Sequence, residues 1–372
     1  MTRPRRRPAC PLLLQQRLRL LRRRIRRWKT SALLVTNARD VRYLSGFVGD
    51  DSWALVPAGT GRVHLLSDFR FQEQIQREAP HTIAHIRRKS LGDELVHVCE
   101  TLGLRRIGLQ SAYVTVAQRK DLEKKLGIRR IKDVNDGLLE QRAVKDRSEV
   151  ARIRKAAMIQ QEAFRRVRRK LKTGMTEQHV AALLDYEMRT LGADGPGFPT
   201  IVAAGANASL PHAVAGKTKL KRGQPVLFDW GACYQGYCAD MTRVLVMGRM
   251  PARLREIYKV VLDAQLAAIE AIRPDVRCRD VDAAARRIID KAGYGEQFGH
   301  ALGHGLGLDI HERPVLAQRA RGRLQPGHVV TVEPGIYLPG LGGVRIEDDV
   351  LVTARGRKVL TDLPKSLESA MI

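Results

Sequence analysis

Asp229, Asp240, His304, Glu333 and Glu347 are the residues of this 372-residue chain whose types and settings are best suited to chemistry. Asp229 lies near the end of the apolar run Val226-Leu227-Phe228-Asp229-Trp230-Gly231. Asp240 stands in Tyr237-Cys238-Ala239-Asp240-Met241-Thr242-Arg243, after a turn from Ala232 to Gly236. A tight turn there predicts one hairpin that sets the two aspartates side by side, provided both point to the same face. Carboxylates held that close repel unless a cation or a shared proton lies between them. The other three are His304 in Gly303-His304-Gly305-Leu306-Gly307, Glu333 in Val332-Glu333-Pro334-Gly335, and Glu347 in Gly343-Val344-Arg345-Ile346-Glu347-Asp348. Each sits at a strand edge or in a glycine-rich turn that permits close approach. Four carboxylates and one imidazole form a hard, oxygen-dominated set suited to two divalent cations such as Mn2+, Co2+ or Zn2+, whose charge the four acids would match. Singly, each residue has a plainer reading: aspartate as a turn residue or cap, histidine as a hydrogen-bonded structural group, Glu-Pro-Gly as a turn. The set as a whole carries the weight.

Alternative motifs are weaker. His300-x-x-x-His304 has the spacing of a zinc-protease helix, but Ala301 stands where a glutamate is needed and the glycines oppose a helix. Gly303-x-Gly305-x-Gly307 lacks the spacing and the strand-turn-helix setting of a dinucleotide site. Cys233 and Cys238 flank one turn and read as structural thiols. His64, His81, His85, His97, His179 and His328 match no functional motif and read as surface or structural.

The elements that must position these residues follow from periodicity. Before residue 135, strands are expected at Ala32–Thr36, Trp53–Val56, Val63–Leu66 and Ile107–Leu109. The second and third of these flank the turn Pro57-Ala58-Gly59-Thr60-Gly61 as a hairpin. Helices are expected over Phe69–Glu78, Leu91–Leu102 and Val114–Leu126, so this third of the chain reads as α/β. The polar stretch Lys132-Asp133-Val134-Asn135-Asp136-Gly137 reads as the link to the rest. Asp146-x-x-Glu149 predicts a capping box opening a long helix, and a second helix is expected from near Thr176 to Gly192.

Composition bounds the class. Hydrophobic residues at 44% exclude general disorder, and five scattered cysteines exclude a disulfide scaffold and suit a reducing, cytoplasmic setting. No apolar run reaches the roughly 18 residues of a membrane span, so a soluble protein is expected. The net charge of +27 is uneven: 13 of the 66 Lys and Arg fall within residues 1–39, ahead of the first acid, Asp40. Such a block suits anionic partners such as nucleic acid. It also suits the wet face of one helix over Gln16–Trp28, with Leu18, Leu20, Leu21, Ile25 and Trp28 at helical spacing.

Taken together, the five segments resemble the pita-bread metallopeptidases: methionine aminopeptidase, aminopeptidase P and prolidase, with the related non-metal enzyme creatinase. The gaps of 11, 64, 29 and 14 residues between successive candidates look like those of the prolidase branch. Leu33-Leu34-Val35-Thr36-Asn37, Arg42-Tyr43-Leu44-Ser45-Gly46-Phe47 and Asp68-Phe69-Arg70-Phe71 are similar to the amino-terminal domain shared by prolidase, aminopeptidase P and creatinase. The resemblance implies an α/β (α+β) chain in which a creatinase-like domain precedes a pita-bread catalytic domain. The expected divisions are a basic extension at 1–13, the first domain at 14–135, a linker at 136–145 and the catalytic domain at 146–365.

The resemblance also implies roles. Asp229 would chelate one metal, His304 and Glu333 the other, and Asp240 and Glu347 would bridge both, with Mn2+ the first choice and Co2+ or Zn2+ alternatives. Two such metals deliver a hydroxide to the scissile carbonyl. Glu333 would pass the water's proton to the leaving nitrogen, which in a bond before proline carries no hydrogen of its own. His212 in Ser209-Leu210-Pro211-His212 and His311 in Asp309-Ile310-His311-Glu312 would face the substrate carbonyl or backbone, and Arg345 would pair with the acids from behind. The function implied is an Xaa-Pro peptidase of aminopeptidase P or prolidase type, a homodimer acting on proline-containing peptides. Val315 stands where dipeptide-preferring relatives often carry a carboxylate-binding arginine, and Arg313 is expected to point elsewhere. The alternative is an inactive pita-bread protein that binds nucleic acid or the ribosome through its basic first segment.

Overall fold

The structure, a computed structural model, describes residues 11–134 and 137–372. Most of the expected basic extension, with Arg3, Arg5, Arg6, Arg7 and Cys10, lies outside the described residues, as do Asn135 and Asp136 of the expected link. The chain divides into two units, Met1–Gln141 and Arg142–Ile372.

The first unit opens with α1 (Pro11–Arg27), which buries Leu14, Leu18, Leu21 and Ile25 at helical spacing. Leu20, expected on that apolar face, is 48% exposed instead, because it falls one residue off the stripe. Arg17 also belongs inside: its Nη1 donates to the Tyr43 carbonyl at 3.0 Å and its guanidinium lies over the Tyr43 ring. Most of the other arginines of α1 form its wet face. β1 (Ala32–Val35) is wholly buried, and Asn37, which ends it, caps α2 (Ala38–Ser45) by accepting from the Arg39 and Asp40 amides. β2 (Trp53–Pro57) and β3 (His64–Ser67) form the expected antiparallel pair. The helix expected from Phe69 starts later, as α3 (Gln72–Glu78), because Asp68 first caps a 3-10 turn over Phe69–Phe71. β4 (Ile83–Ile86), α4 (Leu91–Thr101), β5 (Ile107–Gln110), α5 (Val116–Leu126) and β6 (Ile131–Val134) follow. They complete one six-stranded sheet in the order β4-β3-β2-β1-β5-β6. Residues 132–134, read as part of a link, are thus an edge strand parallel to β5. Only Ile131 and Val134 of β6 are buried, which gives it the polar look of a loop.

The chain continues through α6 (Gly137–Ala143) to the second unit. There α7 (Arg147–Arg168) starts at the expected capping box: Asp146 accepts from the Ser148 and Glu149 amides while its own amide donates to Glu149. α8 (Glu177–Thr190) is capped by Thr176. Next come β7 (Gly195–Pro196), β8 (Ile201–Ala204), β9 (Pro225–Trp230), β10 (Ala232–Tyr234), β11 (Tyr237–Cys238) and β12 (Met241–Val246). Phe164 of α7 stacks on Trp230 with ring centroids 4.4 Å apart, helping to seat the helices on the β12-β9-β8 sheet.

The single hairpin expected around Asp229 and Asp240 is instead two ladders. β10 and β11 pair with Cys233 opposite Cys238, and β9 and β12 pair with Asp229 opposite Thr242. Gly231 permits the close approach at the break, since a Cβ there would lie 2.1 Å from the Ala239 carbonyl oxygen. Asp240 falls between the ladders, and its amide donates to Asp349 Oδ2 at 3.1 Å.

α9 (Ala252–Ala271) and α10 (Cys278–Lys291) follow, then β13 (Gly303–Gly305), β14 (Glu312–Leu316), β15 (Val329–Val332), β16 (Gly335–Leu338), β17 (Gly342–Arg345), β18 (Asp348–Thr353) and β19 (Gly356–Val359). Five of these strands form a sheet in the order β14-β13-β15-β18-β19, and β16 pairs with β17. Ile257, Val261, Val281 and Ile289 of the helices share one core with Val330, Val332 and Val350 of the sheet. Among the described residues no helix is long and apolar enough to cross a membrane.

Candidate metal centre

Several strands of the second unit end at one cavity of about 760 Å³. Asp229 lies in β9, Asp240 just before β12, His304 in the middle of β13 and Glu333 just after β15. Arg345 ends β17, and Glu347 occupies the step to β18. All six line the cavity, together with His212 and His311, so the structure brings together every site residue expected from sequence.

The distances are short. One donor atom from each of Asp240, His304 and Glu347 lies within 4.8 Å of the others. His304 Nε2 is 3.2 Å from Glu333 Oε1 and 3.7 Å from Asp240 Oδ2. His304 Nδ1 lies 3.1 Å from the Gly305 carbonyl, which can only accept; the neutral ring therefore carries its proton there and turns the Nε2 lone pair toward the acids. β13 needs its glycines to bring the ring this close. A Cβ at Gly303 would meet the Thr331 carbonyl oxygen at 2.1 Å, and one at Gly305 would meet the Arg313 carbonyl oxygen at 2.2 Å.

Electrostatics follow from crowding. Burial and neighbouring acids push the Asp240 and Glu347 carboxyls well above the usual carboxylate range. Burial also raises Asp229, although Arg345 opposes it. Glu333 goes the other way: burial is outweighed by His304, Arg345 and His300, which hold it low. Burial opposes charging of His304, but Glu333 beside it prevails and raises its pKa. Asp229 Oδ1 and Asp240 Oδ1 are buried with no hydrogen-bond partner among the described residues. Unpartnered carboxylate oxygens are costly, and here they share a wall with an imidazole lone pair and two further acids. That donor set fits divalent cations.

A surrounding layer fixes these groups, and sequence reasoning found only Arg345 of it. Arg345 Nη2 donates to Asp229 Oδ2 at 2.6 Å, Nε to Thr242 Oγ1 at 3.0 Å and Nη1 to the Tyr337 hydroxyl at 2.9 Å. Thr242 Oγ1 passes its own proton toward Glu347 Oε2 at 2.6 Å. Thr331 repeats the device: it accepts from the His304 amide and donates to Glu333 Oε1, both at 3.0 Å. His300 Nε2 lies 2.9 Å from the Tyr337 hydroxyl and lines the cavity. The structure agrees that His300 and His304 share no helix, yet it places both at the site. The available signal for Tyr337 was its place in Glu333-Pro334-Gly335-Ile336-Tyr337; nothing in the sequence marked the two threonines.

The histidines facing the cavity differ in setting. His311 packs its ring edge-on against His304 with centroids 4.3 Å apart, and burial with that neighbour lowers its pKa. His212 stands exposed on the loop after β8. Phe198, Pro199, Ile201, Val214, Ile310 and Val315 supply apolar wall, and Arg345 is the only lysine or arginine among the described lining residues. Val315 is 45% exposed on that wall, whereas Arg313 is not part of it.

Comparison with known proteins agrees with this arrangement. Residues 17–144 match the creatinase/prolidase N-terminal domain and residues 151–354 match metallopeptidase family M24. An Xaa-Pro dipeptidase of Pyrococcus horikoshii is 35% identical over 336 residues, covering 90% of this chain and 94% of the relative. The solved Xaa-Pro dipeptidase from Bacillus anthracis superposes with a TM-score of 0.92 at 35% identity, covering 96% of this chain and 100% of that one. The X-Pro aminopeptidase from Thermotoga maritima gives 0.85 at 35% identity, with 92% and 99% covered. The match over residues 151–354, more than half of the chain, with the acids and histidine gathered where a metallopeptidase needs them, makes this chain a member of metallopeptidase family M24.

Proposed function

We propose that the chain is a metal-dependent Xaa-Pro peptidase that cleaves the bond between an N-terminal residue and proline. The carrying observation is the convergence of Asp229, Asp240, His304, Glu333 and Glu347 on one cavity with two buried carboxylate oxygens left unpartnered. Membership of the family implies divalent metal ions. In this reading Asp229, Asp240, His304, Glu333 and Glu347 would hold two divalent ions, with Mn2+ the first choice among Mn2+, Co2+ and Zn2+. Bound there, two such ions supply Lewis acidity that lowers the pKa of water and polarises the scissile carbonyl.

The remaining work falls to the chain's own groups. Glu333, held low and oriented by Thr331, accepts a proton at Oε and returns it to the proline nitrogen as that nitrogen leaves. His311 and His212 donate to the carbonyl oxygen or hold the substrate backbone. Arg345 opposes the burial that raises Asp229 and aims its carboxylate. The apolar wall of Phe198, Ile201 and Val214 suits the proline ring and the residue before it.

The same reading includes the four divisions at 1–13, 14–135, 136–145 and 146–365; the family matches at 17–144 and 151–354 support its two domains, and the first of them runs through the linker to residue 144. It includes a homodimer, supported by the resemblance, and a cytoplasmic location, supported by the small number and scattered placing of the cysteines in the sequence. The nucleic-acid alternative is not favoured by the peptidase relatives. The test is hydrolysis of Ala-Pro, Ala-Pro-Ala and a proline-free peptide with Mn2+, Co2+ or Zn2+ added. Release of the first residue only from the proline peptides, abolished in Asp240→Ala and Glu333→Ala, supports the proposal; metal-independent or proline-indifferent cleavage refutes it.

A further inference from the structure

Two cations remote in sequence grip the turn that presents His311. Arg142 Nη2 donates to Asp309 Oδ2 and to Glu312 Oε1, both at 2.5 Å, and Lys145 Nζ donates to Glu312 Oε2 at 3.0 Å. The side chains of Arg142, Lys145 and Glu312 are 1%, 1% and 2% exposed. The Asp309 amide donates to Glu312 Oε1 at 3.1 Å, closing the turn from within. Gly307 makes room for the carboxylate, since a Cβ there would stand 2.8 Å from Glu312 Oε2. Acids clamped in this way flank Ile310 and His311, and His311 alone of that pair brings a titratable ring against His304.

A buried ion cluster is a poor device for stability alone, because well-packed apolar residues often replace one at no loss. Its distinct property is geometry: a planar guanidinium that spans two carboxylates fixes their separation and orientation. Asp309 and Glu312 are the two ends of the His311 turn, so fixing them fixes the imidazole.

From this we infer that Arg142 and Lys145 are positioning residues: they hold the His311 ring against the cavity, and their contribution to turnover passes through His311. The kinetic part of this inference rests on the Xaa-Pro peptidase reading. Its test is a double-mutant cycle on the full manganese-loaded chain with Ala-Pro-Ala, using Lys145→Met, Arg142→Lys, Glu312→Gln and His311→Ala alone, and Lys145→Met with His311→Ala. Manganese content is measured alongside, and the His311 ring resonance is read at fixed pH on the chain loaded with diamagnetic Zn2+ instead. Lys145→Met and Arg142→Lys are expected to lower kcat about tenfold with full manganese content and to shift the His311 resonance. The double variant is expected within about twofold of His311→Ala alone. Losses that multiply in the double variant, single variants with unchanged kcat, or manganese loss in step with kcat overturn the inference. If Arg142→Lys fails to fold, Lys145→Met and Glu312→Gln carry the cycle, and failure of all three to fold makes the cluster structural and refutes it. If the wild type cleaves no proline peptide, the peptidase reading fails, while an unmoved His311 resonance in Lys145→Met separately sinks the clamp.

Discussion

Replacing Thr242 with valine removes one oxygen atom and keeps the side-chain shape, which isolates the link between Arg345 and Glu347. Thr242 is fully buried; its Oγ1 accepts from Arg345 Nε at 3.0 Å and donates to Glu347 Oε2 at 2.6 Å. Each of these bonds involves a charged group and contributes about 1.5–3 kcal/mol. The bond to Glu347 favours the ionised carboxylate that a cation requires, and its loss lets burial and the neighbouring acids raise that carboxyl further. The expected result is a divalent affinity weakened about 10- to 100-fold, the range typical of groups that orient a metal ligand. Leaving Arg345 Nε without an acceptor costs about a further 1–3 kcal/mol of folding stability, read as a lower Tm. The assay is competition for Mn2+ against a fluorescent chelator, with Thr242→Ser as the control that restores the hydroxyl. Near-normal kcat is expected to return when Mn2+ is saturating. Wild-type Mn2+ affinity in the valine variant, or a serine variant as weak as valine, would refute the reasoning.

Three other outcomes follow from the same structure. Arg243 and Lys365 outweigh burial and hold the Asp348 carboxyl below its ordinary value of 3.8, so its stabilisation is complete above that pH and fades as pH falls through the folded value. Thermal melts should show wild-type Tm falling in that acid range, and Asp348→Asn losing about 3–5 kcal/mol already at neutral pH with a flatter acid limb; an unchanged melt contradicts this. Because Asp240 and Glu347 are raised well above the carboxylate range, cations must displace protons from them, and Mn2+ binding should tighten as pH rises. Calorimetry in buffers of different protonation enthalpy checks this, and a buffer-independent enthalpy rejects it. Val315→Arg adds a cation to a wall whose one guanidinium is already held by Asp229, and should lower KM for Ala-Pro about tenfold relative to Ala-Pro-Ala. An unchanged ratio counts against a free carboxylate meeting that wall.

The legible part of the site was the part written at strand ends. Glu333 before Pro334-Gly335 and His304 between glycines announce themselves because local backbone needs and chemistry coincide in a few residues. Alternation does not show that Asp229 stands opposite Thr242, because it cannot reveal that the ladder breaks between Gly231 and Asp240. Thr242 and Thr331 were silent for a related reason: a threonine in a strand looks like β-propensity until the fold sets its hydroxyl beside an acid. Arg142 and Lys145 lie far upstream of Glu312 in sequence, and only tertiary structure joins them. In the first unit β1, β2, β3 and β5 and the longer helices were visible from apolar runs, whereas the short α2 and the edge strands β4 and β6 were not; an edge strand with two buried residues or none carries too little pattern.

Backbone crowding around β13 has a consequence for heredity. Positions 303 and 305 admit no side chain without driving a carbon into the Thr331 or Arg313 carbonyl oxygen. Amino-acid replacements at either position are therefore expected to be disabling, and His304 cannot migrate along the strand, because a one-residue slip turns the imidazole to the opposite face. Within this stretch, only nucleotide changes that leave Gly303, His304 and Gly305 unaltered are expected to keep the imidazole in place.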